Sequence, residues 1–367
     1  MTGRFRAGLL LLPAGMAALV VGVWAGLLRL GWGLPSPGFD LAAVHGPLMV
    51  GGFLGTLISL ERAVALGSPW ATVAPTLSGL GGLALLAGLP IPLGASFLAG
   101  GGLGLVVLFV AIFRRQPAMA TAVMGVGSLA WLVGTVLWLA GWPLHGIVRW
   151  WGSFLVLTIA GERLELSRFL RPHRWSQVHF LAAVLLTLAG LVLETCGLGA
   201  GSAVVGLGWI ALALWLFLYD VARRTIRGGG LTRYVAICLL TGYLWLAASG
   251  GFCLFLGAFT SGPFYDALLH SLFLGFVFAM IFAHAPIIFP AVLGLRIPFR
   301  LSFYAHLILL HLSLVLRISG DFTGRWPERQ WGGLFNAAAL ALFLAGTARS
   351  VWLARSARSS PQAIPGS

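Results

Sequence analysis

Lysine is absent from the 367 residues and acidic side chains number only nine, so the 23 arginines leave a formal charge of +14. Charged residues of all kinds make up 9% against a hydrophobic fraction of 59%, a balance that no soluble domain keeps in solution. So basic a chain suits nucleic acid only if a soluble face carries the charge, and no stretch is polar enough to build one. Cysteine is scarce as well. Cys196, Cys238 and Cys253 are odd in number and scattered, which excludes a disulfide framework or a Cys-x-x-Cys centre and leaves them as core residues. Also missing are a Walker loop, a dinucleotide fingerprint, a Cys-x-x-Cys-His haem attachment, a G-x-S-x-G elbow and a His-Glu-x-x-His zinc motif.

What is present is apolar and long. Marking apolar runs between turn and charge signals predicts an all-α polytopic membrane bundle of about twelve spans, near residues 9–30, 42–64, 72–90, 95–113, 118–140, 146–165, 178–195, 201–221, 232–256, 266–293, 300–317 and 331–348. The longest polar connections, Arg168 to Gln177 and Ser319 to Gln330, are too short for a soluble domain, so residues 1–367 read as one membrane domain. The first run follows Arg4 and Arg6 but lacks a clear small-residue cleavage site, and reads as a membrane helix rather than a cleaved signal. The fifteen tryptophans are expected mostly near span ends, as an aromatic belt.

The arginines sort into two alternating sets. Five lie on one side, Arg29, Arg149, Arg317, Arg325 and Arg329, and the other eighteen, Arg171 and Arg296 among them, on the opposite side. By the positive-inside rule both termini are cytoplasmic in an inner, cytoplasmic membrane, and the number of spans is even.

An internal repeat links the second, sixth and tenth spans. The second reads H-G-P-L-M-V-G-G-F-L-G-T-L-I-S-L-E-R from His45, and the sixth reads H-G-I-V-R-W-W-G-S-F-L-V-L-T-I-A-G-E-R from His145. An offset of 101 places Phe53 on Phe154, Glu61 on Glu162 and Arg62 on Arg163. An offset of 223 places Gly52 on Gly275, Phe53 on Phe276 and Glu61 on His284. Three units of four helices follow, roughly 1–113, 118–221 and 232–348, in place of the two six-helix halves common among transporters.

Histidine carries the chemistry. Imidazole in hydrocarbon forfeits its hydrogen bonds to water, so it persists where it faces protein, a wet cavity, a proton path or a metal. His270 and His284 lie fourteen residues apart on one span, nearly on one face and separated in depth by about 21 Å at about 1.5 Å per residue. His306 and His311 follow on the next. His45, His145 and His270 open corresponding helices on the outer side, where they could converge on haem iron, copper or zinc, each of which takes neutral imidazole. Neither His45 nor His270 has an acidic residue beside it in sequence, so both are expected to be neutral and able to ligate. On the inner side Glu61, Glu162 and His284 occupy equivalent places. They read either as helix-end ion pairs with Arg62 and Arg163 or as a proton path, with His306 near the depth of His284 and His311 nearer the middle.

Twelve spans in three arcs, with histidines opening the second, sixth and tenth, resemble the catalytic subunit of haem-copper oxidases and nitric oxide reductases. The stretches H-S-L-F-L-G-F-V-F-A-M-I-F-A-H-A-P and H-G-P-L-M-V-G-G-F are more similar to the smaller NnrS-like membrane proteins. The resemblance implies a haem site with copper as a second candidate, His45 and His270 as axial ligands, and His284, His306 and His311 as further cofactor-binding residues. It also implies nitric oxide or oxygen as ligand, and respiratory-chain proteins as partners. Two departures stand against a full oxygen-reducing centre: the tenth span has no His-x-His and the seventh no His-His pair. The alternative readings are a proton-coupled transporter or channel built on Glu61, Glu162 and His284, and an assembly subunit without a cofactor. A reporter fused after Ser367 is expected in the cytoplasm; a periplasmic reporter would overturn the topology.

Overall fold

Runs of Leu, Ala, Val and Phe become helices here because a backbone in hydrocarbon must satisfy its hydrogen bonds within its own segment. The computed structural model describes residues 2–168, 173–293 and 298–359. Its helices are α1 (Thr2–Arg29), α2 (Leu41–Leu66), α3 (Val73–Leu86), α4 (Ile91–Arg115), α5 (Met119–Leu139) and α6 (Leu144–Ser167). They continue with α7 (Arg174–Thr195), α8 (Gly201–Tyr219), α9 (Gly230–Leu256), α10 (Gly262–His270, Ser271–Phe278 and Ala279–Leu293 end to end), α11 (Phe303–Thr323) and α12 (Trp326–Ser359). No strand forms among the described residues. Arg171 and Arg296, two of the arginines used to orient the chain, lie outside them.

Ten of these helices are long and apolar enough to cross a membrane. The other two fall short for different reasons. Helix α3 has 14 residues, about 21 Å of rise against a hydrocarbon core of about 30 Å. Helix α6 has the length but carries Arg149, Glu162, Arg163 and Glu165. Large apolar side chains point away from the protein all around the bundle, among them Phe255 at 81% exposure and Leu312 at 65%. A surface of that kind is stable against lipid, not water.

The expected polar connection from Ser319 to Gln330 is mostly helix. It contracts to a tight turn in which Gly324, at φ +69°, ends α11 two residues before α12 begins. The tryptophans also depart from expectation. Trp70, Trp175 and Trp326 are exposed as a belt requires, but Trp131, Trp151, Trp209 and Trp215 are buried. Three of these four spend their indole N–H on core partners: Trp151 on Thr135 Oγ1, Trp209 on Ser153 Oγ and Trp215 on the Ser176 carbonyl. Cys238 and Cys253 are buried as expected, whereas Cys196 is exposed, just past the end of α7.

Helices α2 and α10 share an uncommon backbone. Each contains an eight-residue π-helical segment, Leu48–Gly55 in α2 and Ser271–Phe278 in α10. Their bounds are related by the offset of 223 that pairs Gly52 with Gly275. Such wide turns inside α-helices concentrate at functional sites. Helix α6 is α-helical throughout, so the π-helical segment is shared by α2 and α10 and not by α6.

Glycine permits the close approaches. A Cβ on Gly22 or Gly26 of α1 would fall within 3 Å of Met49 or of the His45 ring, so this small-x-x-x-small face lets α2 lie tightly on α1. A Cβ on Gly275 would sit 2.4 Å from Cγ of Trp245. Gly275→Ala is therefore expected to lower the melting temperature in detergent, by an overpacking cost of roughly 1–3 kcal/mol. Gly251→Ala, with open space at its Cβ, should leave it unchanged or raise it; a Gly275→Ala variant that melts no lower would show that Trp245 yields.

Candidate functional site

Two cavities lie end to end along α2, α6 and α10. The larger, about 440 Å³, is at the end where His45, His145 and His270 begin these helices, and α1, α11 and α12 close it. The smaller, about 150 Å³, is at the opposite end, beside Glu61, Glu162 and His284. The lining passes from one to the other within about one turn: Val50 to Leu54 on α2, Trp151 to Leu155 on α6, and Phe278 to Met280 on α10. Between them Phe53 and Phe278 stack, with centroids 6.2 Å apart and planes at 17°.

In the larger cavity the rings of His45 and His270 face each other across the α2–α10 contact, centroids 6.4 Å apart and planes at 22°. Nδ1 of His45 lies 2.6 Å from the Gly22 carbonyl of α1, and Nδ1 of His270 lies 2.9 Å from the Asp266 carbonyl one turn back on α10. A carbonyl can only accept, so both rings carry their proton on Nδ1, and the neutral tautomer keeps its lone pair on Nε2. Neither Nε2 has a hydrogen-bond partner among the described residues. Engaging Nδ1 while leaving Nε2 open is how proteins orient imidazoles that ligate metals.

Asp266 also reaches His270 with its side chain, Oδ1 lying 3.3 Å from Nδ1. The carboxylate is held in turn by Arg317 of α11, whose Nε and Nη2 donate to it at 2.7 and 2.8 Å, and by Arg329 of α12 at 3.3 Å. No acidic residue adjoins His270 in sequence, but one does at i−4, and helix geometry makes that position the neighbour that matters. The spacing Asp-x-x-x-His was the available signal. His145 lines the same cavity but stands apart from the pair. Among the described residues no group of three His, Cys, Asp or Glu side chains is placed to hold one metal ion.

Two of the arginines assigned to the sparse side are internal. Arg149 is 4% exposed and pairs with Glu194 of α7 and the Gly257 carbonyl after α9; Arg317 is 6% exposed. They answer part-buried acids on neighbouring helices rather than mark a loop.

At the other end the Glu-Arg repeats do not pair within themselves alone. Arg62 bridges Glu61, at 3.3 Å, and Glu162 of α6. The second oxygen of Glu162 lies 3.3 Å from His284 Nε2 of α10. Arg163 turns instead to the buried Asp220 after α8, at 4.0 Å. Glu61, Glu162 and His284 thus form one network, through Arg62, across α2, α6 and α10.

His306 and His311 join neither cavity. His306 is 3% exposed, its Nε2 2.9 Å from the Tyr234 hydroxyl, with the rings of Phe282, Phe303 and Phe343 around it. His311 accepts from Trp245 Nε1 at Nδ1, 3.1 Å, and its Nε2 meets Thr241 Oγ1 at 3.0 Å. With both nitrogens engaged, His311 has no lone pair to offer a cofactor. Both residues tie α11 to α9.

Ten apolar helices of membrane length among the described residues make this a multi-pass helical membrane protein. The chain belongs to the family described as Domain of unknown function (DUF8744), which it matches over residues 6–352. No curated protein matches it. Breaking the ion pair beneath His270 should be costly: Arg317→Met is expected to lower stability by about 3 kcal/mol, because it removes the bidentate partner of a buried carboxylate, and Arg317→Met with Asp266→Leu should recover most of that loss. Melting curves in detergent measure both; a double variant no better than the single would place the cost in packing.

Proposed function

We propose that the chain is a haem-binding protein of the cytoplasmic membrane, with His45 and His270 as the two axial ligands. The observation that supports this reading is the facing pair itself: two nearly parallel imidazoles on different helices, each fixed through Nδ1 and each open at Nε2. Haem asks the protein for two such ligands, and the donor set fits it. A mononuclear copper or zinc centre asks for three or more, which the described residues do not bring together, so copper fits less well. A cavity of about 440 Å³ falls in the range of small-molecule sites, and Arg29, Arg317 and Arg329 on its wall suit the carboxylates of a porphyrin. Bound there, haem would supply one-electron chemistry, and a diatomic ligand would reach the iron only in place of one of the two histidines. The residues of the chain hold, orient and partly neutralise it. Asp266 steers His270, and Gly26 makes room for the His45 ring.

The resemblance to NnrS-like proteins and haem-copper oxidase catalytic subunits adds nitric oxide or oxygen as ligand, and respiratory-chain proteins as partners, to the same proposal. In it twelve helices cross the membrane in three four-helix units with both termini cytoplasmic, α3 being the short crossing and α6 the charged one. A second reading, a proton-coupled transporter, draws support from the Glu61–Arg62–Glu162–His284 network.

Protein purified from a host supplied with haem is expected to show a Soret band. His45→Ala or His270→Ala should abolish or shift it, while His173→Ala, at the exposed start of α7, should leave it unchanged. Equal spectra in all three variants would refute the ligand assignment. Cofactor-free protein that drives uptake into proteoliposomes under a pH gradient would move the assignment to the second reading.

A further inference from the structure

The smaller cavity is walled by aliphatic side chains of α1, α2, α6 and α10, broken by four polar ones: Glu61, Thr158, Glu162 and His284. Thr158 stands out. Three other buried threonines donate their hydroxyl to the carbonyl one turn back, Thr56 to Gly52, Thr135 to Trp131 and Thr187 to Ala183, at 2.7 to 2.9 Å. Thr158 does not: it is 3% exposed and its Oγ1 has no hydrogen-bond partner. An unpaired hydroxyl at that depth costs about 1–3 kcal/mol, and Thr158 belongs to the wall of this cavity.

We propose that this cavity binds a neutral, hydroxyl-bearing ring of the hydroquinone type, its hydroxyl placed among Thr158, Glu162 and His284. The polar groups there are chiefly acceptors. Glu162 is a carboxylate shared between Arg62 and His284, and Thr158 can donate or accept as the ligand requires. A ring hydroxyl donates to the carboxylate and accepts from the threonine, so both are satisfied at once. A fatty acid fails this test, because its carboxylate would meet Glu61 and Glu162, which outnumber the single Arg62 between them. A cation would give up its hydration for a wall that is almost wholly hydrocarbon. The size, about 150 Å³, suits one ring and not a larger polar solute. Met280 on the wall adds a thioether of the kind that packs well against aromatic rings. The proposal concerns binding alone and is independent of the axial-ligand assignment, since these groups lie at the other end of α2 and α10.

The test is calorimetric titration of the purified full chain in detergent with three probes: decyl-substituted hydroquinone, its dimethyl ether and decanoic acid. The hydroquinone is expected to bind, with the ether about tenfold weaker or worse, the worth of one hydrogen bond to a charged acceptor, and the acid not at all. Thr158→Val, close in shape, should weaken the hydroquinone about three- to tenfold without lowering the melting temperature. Several results would overturn the proposal: no binding of the hydroquinone, equal affinity for hydroquinone and ether, binding of the acid as tight as that of the hydroquinone, or a Thr158→Val variant that melts lower and loses both ligands alike. Any of these can occur with the haem spectrum intact, so the two assignments fail separately.

Discussion

A charge inside a bilayer has to be answered by another charge from the same protein, and that requirement places the working helices of this chain. Asp266 would be untenable on α10 without Arg317 and Arg329, just as Glu162 on α6 needs Arg62 from α2, and Arg149 needs Glu194 from α7. The pairings tie α10 to α11 and α12, α6 to the distant α2, and α6 to α7. Apolar packing between helices gains little in lipid, where the alternative neighbour is equally apolar. The ion pairs therefore do what a hydrophobic core does in water: they decide which helices are neighbours. Arrangement of the histidines follows from this scaffold, for His270 hangs from Asp266 and His284 rests on Glu162.

Much of this was legible in the sequence, for physical reasons. Helices declare themselves in a membrane protein because a span needs about twenty apolar residues and tolerates few charges. The repeat from His45 to Arg62, echoed from His145 to Arg163, marks the helices that meet, and His45, His270, Glu61, Glu162 and His284 fall at the two ends of that meeting. The illegible parts depend on partners far away in the chain. His306 and His311 look the same in sequence as His45 and His270, yet Tyr234, Trp245 and Thr241, 66 to 72 residues earlier, satisfy them. No local pattern distinguishes a satisfied imidazole from an open one. Arg149 and Arg317 mislead in the same way, since their acids lie on other helices. The tryptophans counted toward a belt include four whose surroundings are buried, and the π-helical turns leave no compositional mark.

Asp266–His270 is the exception: a local relation, readable at i, i+4, that sequence adjacency conceals. It is also where stability and chemistry meet, because the carboxylate that orients the imidazole is the one that ties α10 to α11 and α12.

The stacked rings of Phe53 and Phe278 have an electrical meaning. Polarisable groups gather at both ends of α2, α6 and α10, while the layer between is thin, aromatic and aliphatic, so a membrane voltage would fall steeply across it. A charge carried from one cavity to the other would exchange up to about 2.3 kcal/mol for every 100 mV. The two cavities are therefore neighbours in space but opposite plates of a capacitor, and whatever passes between them has to work with or against the field.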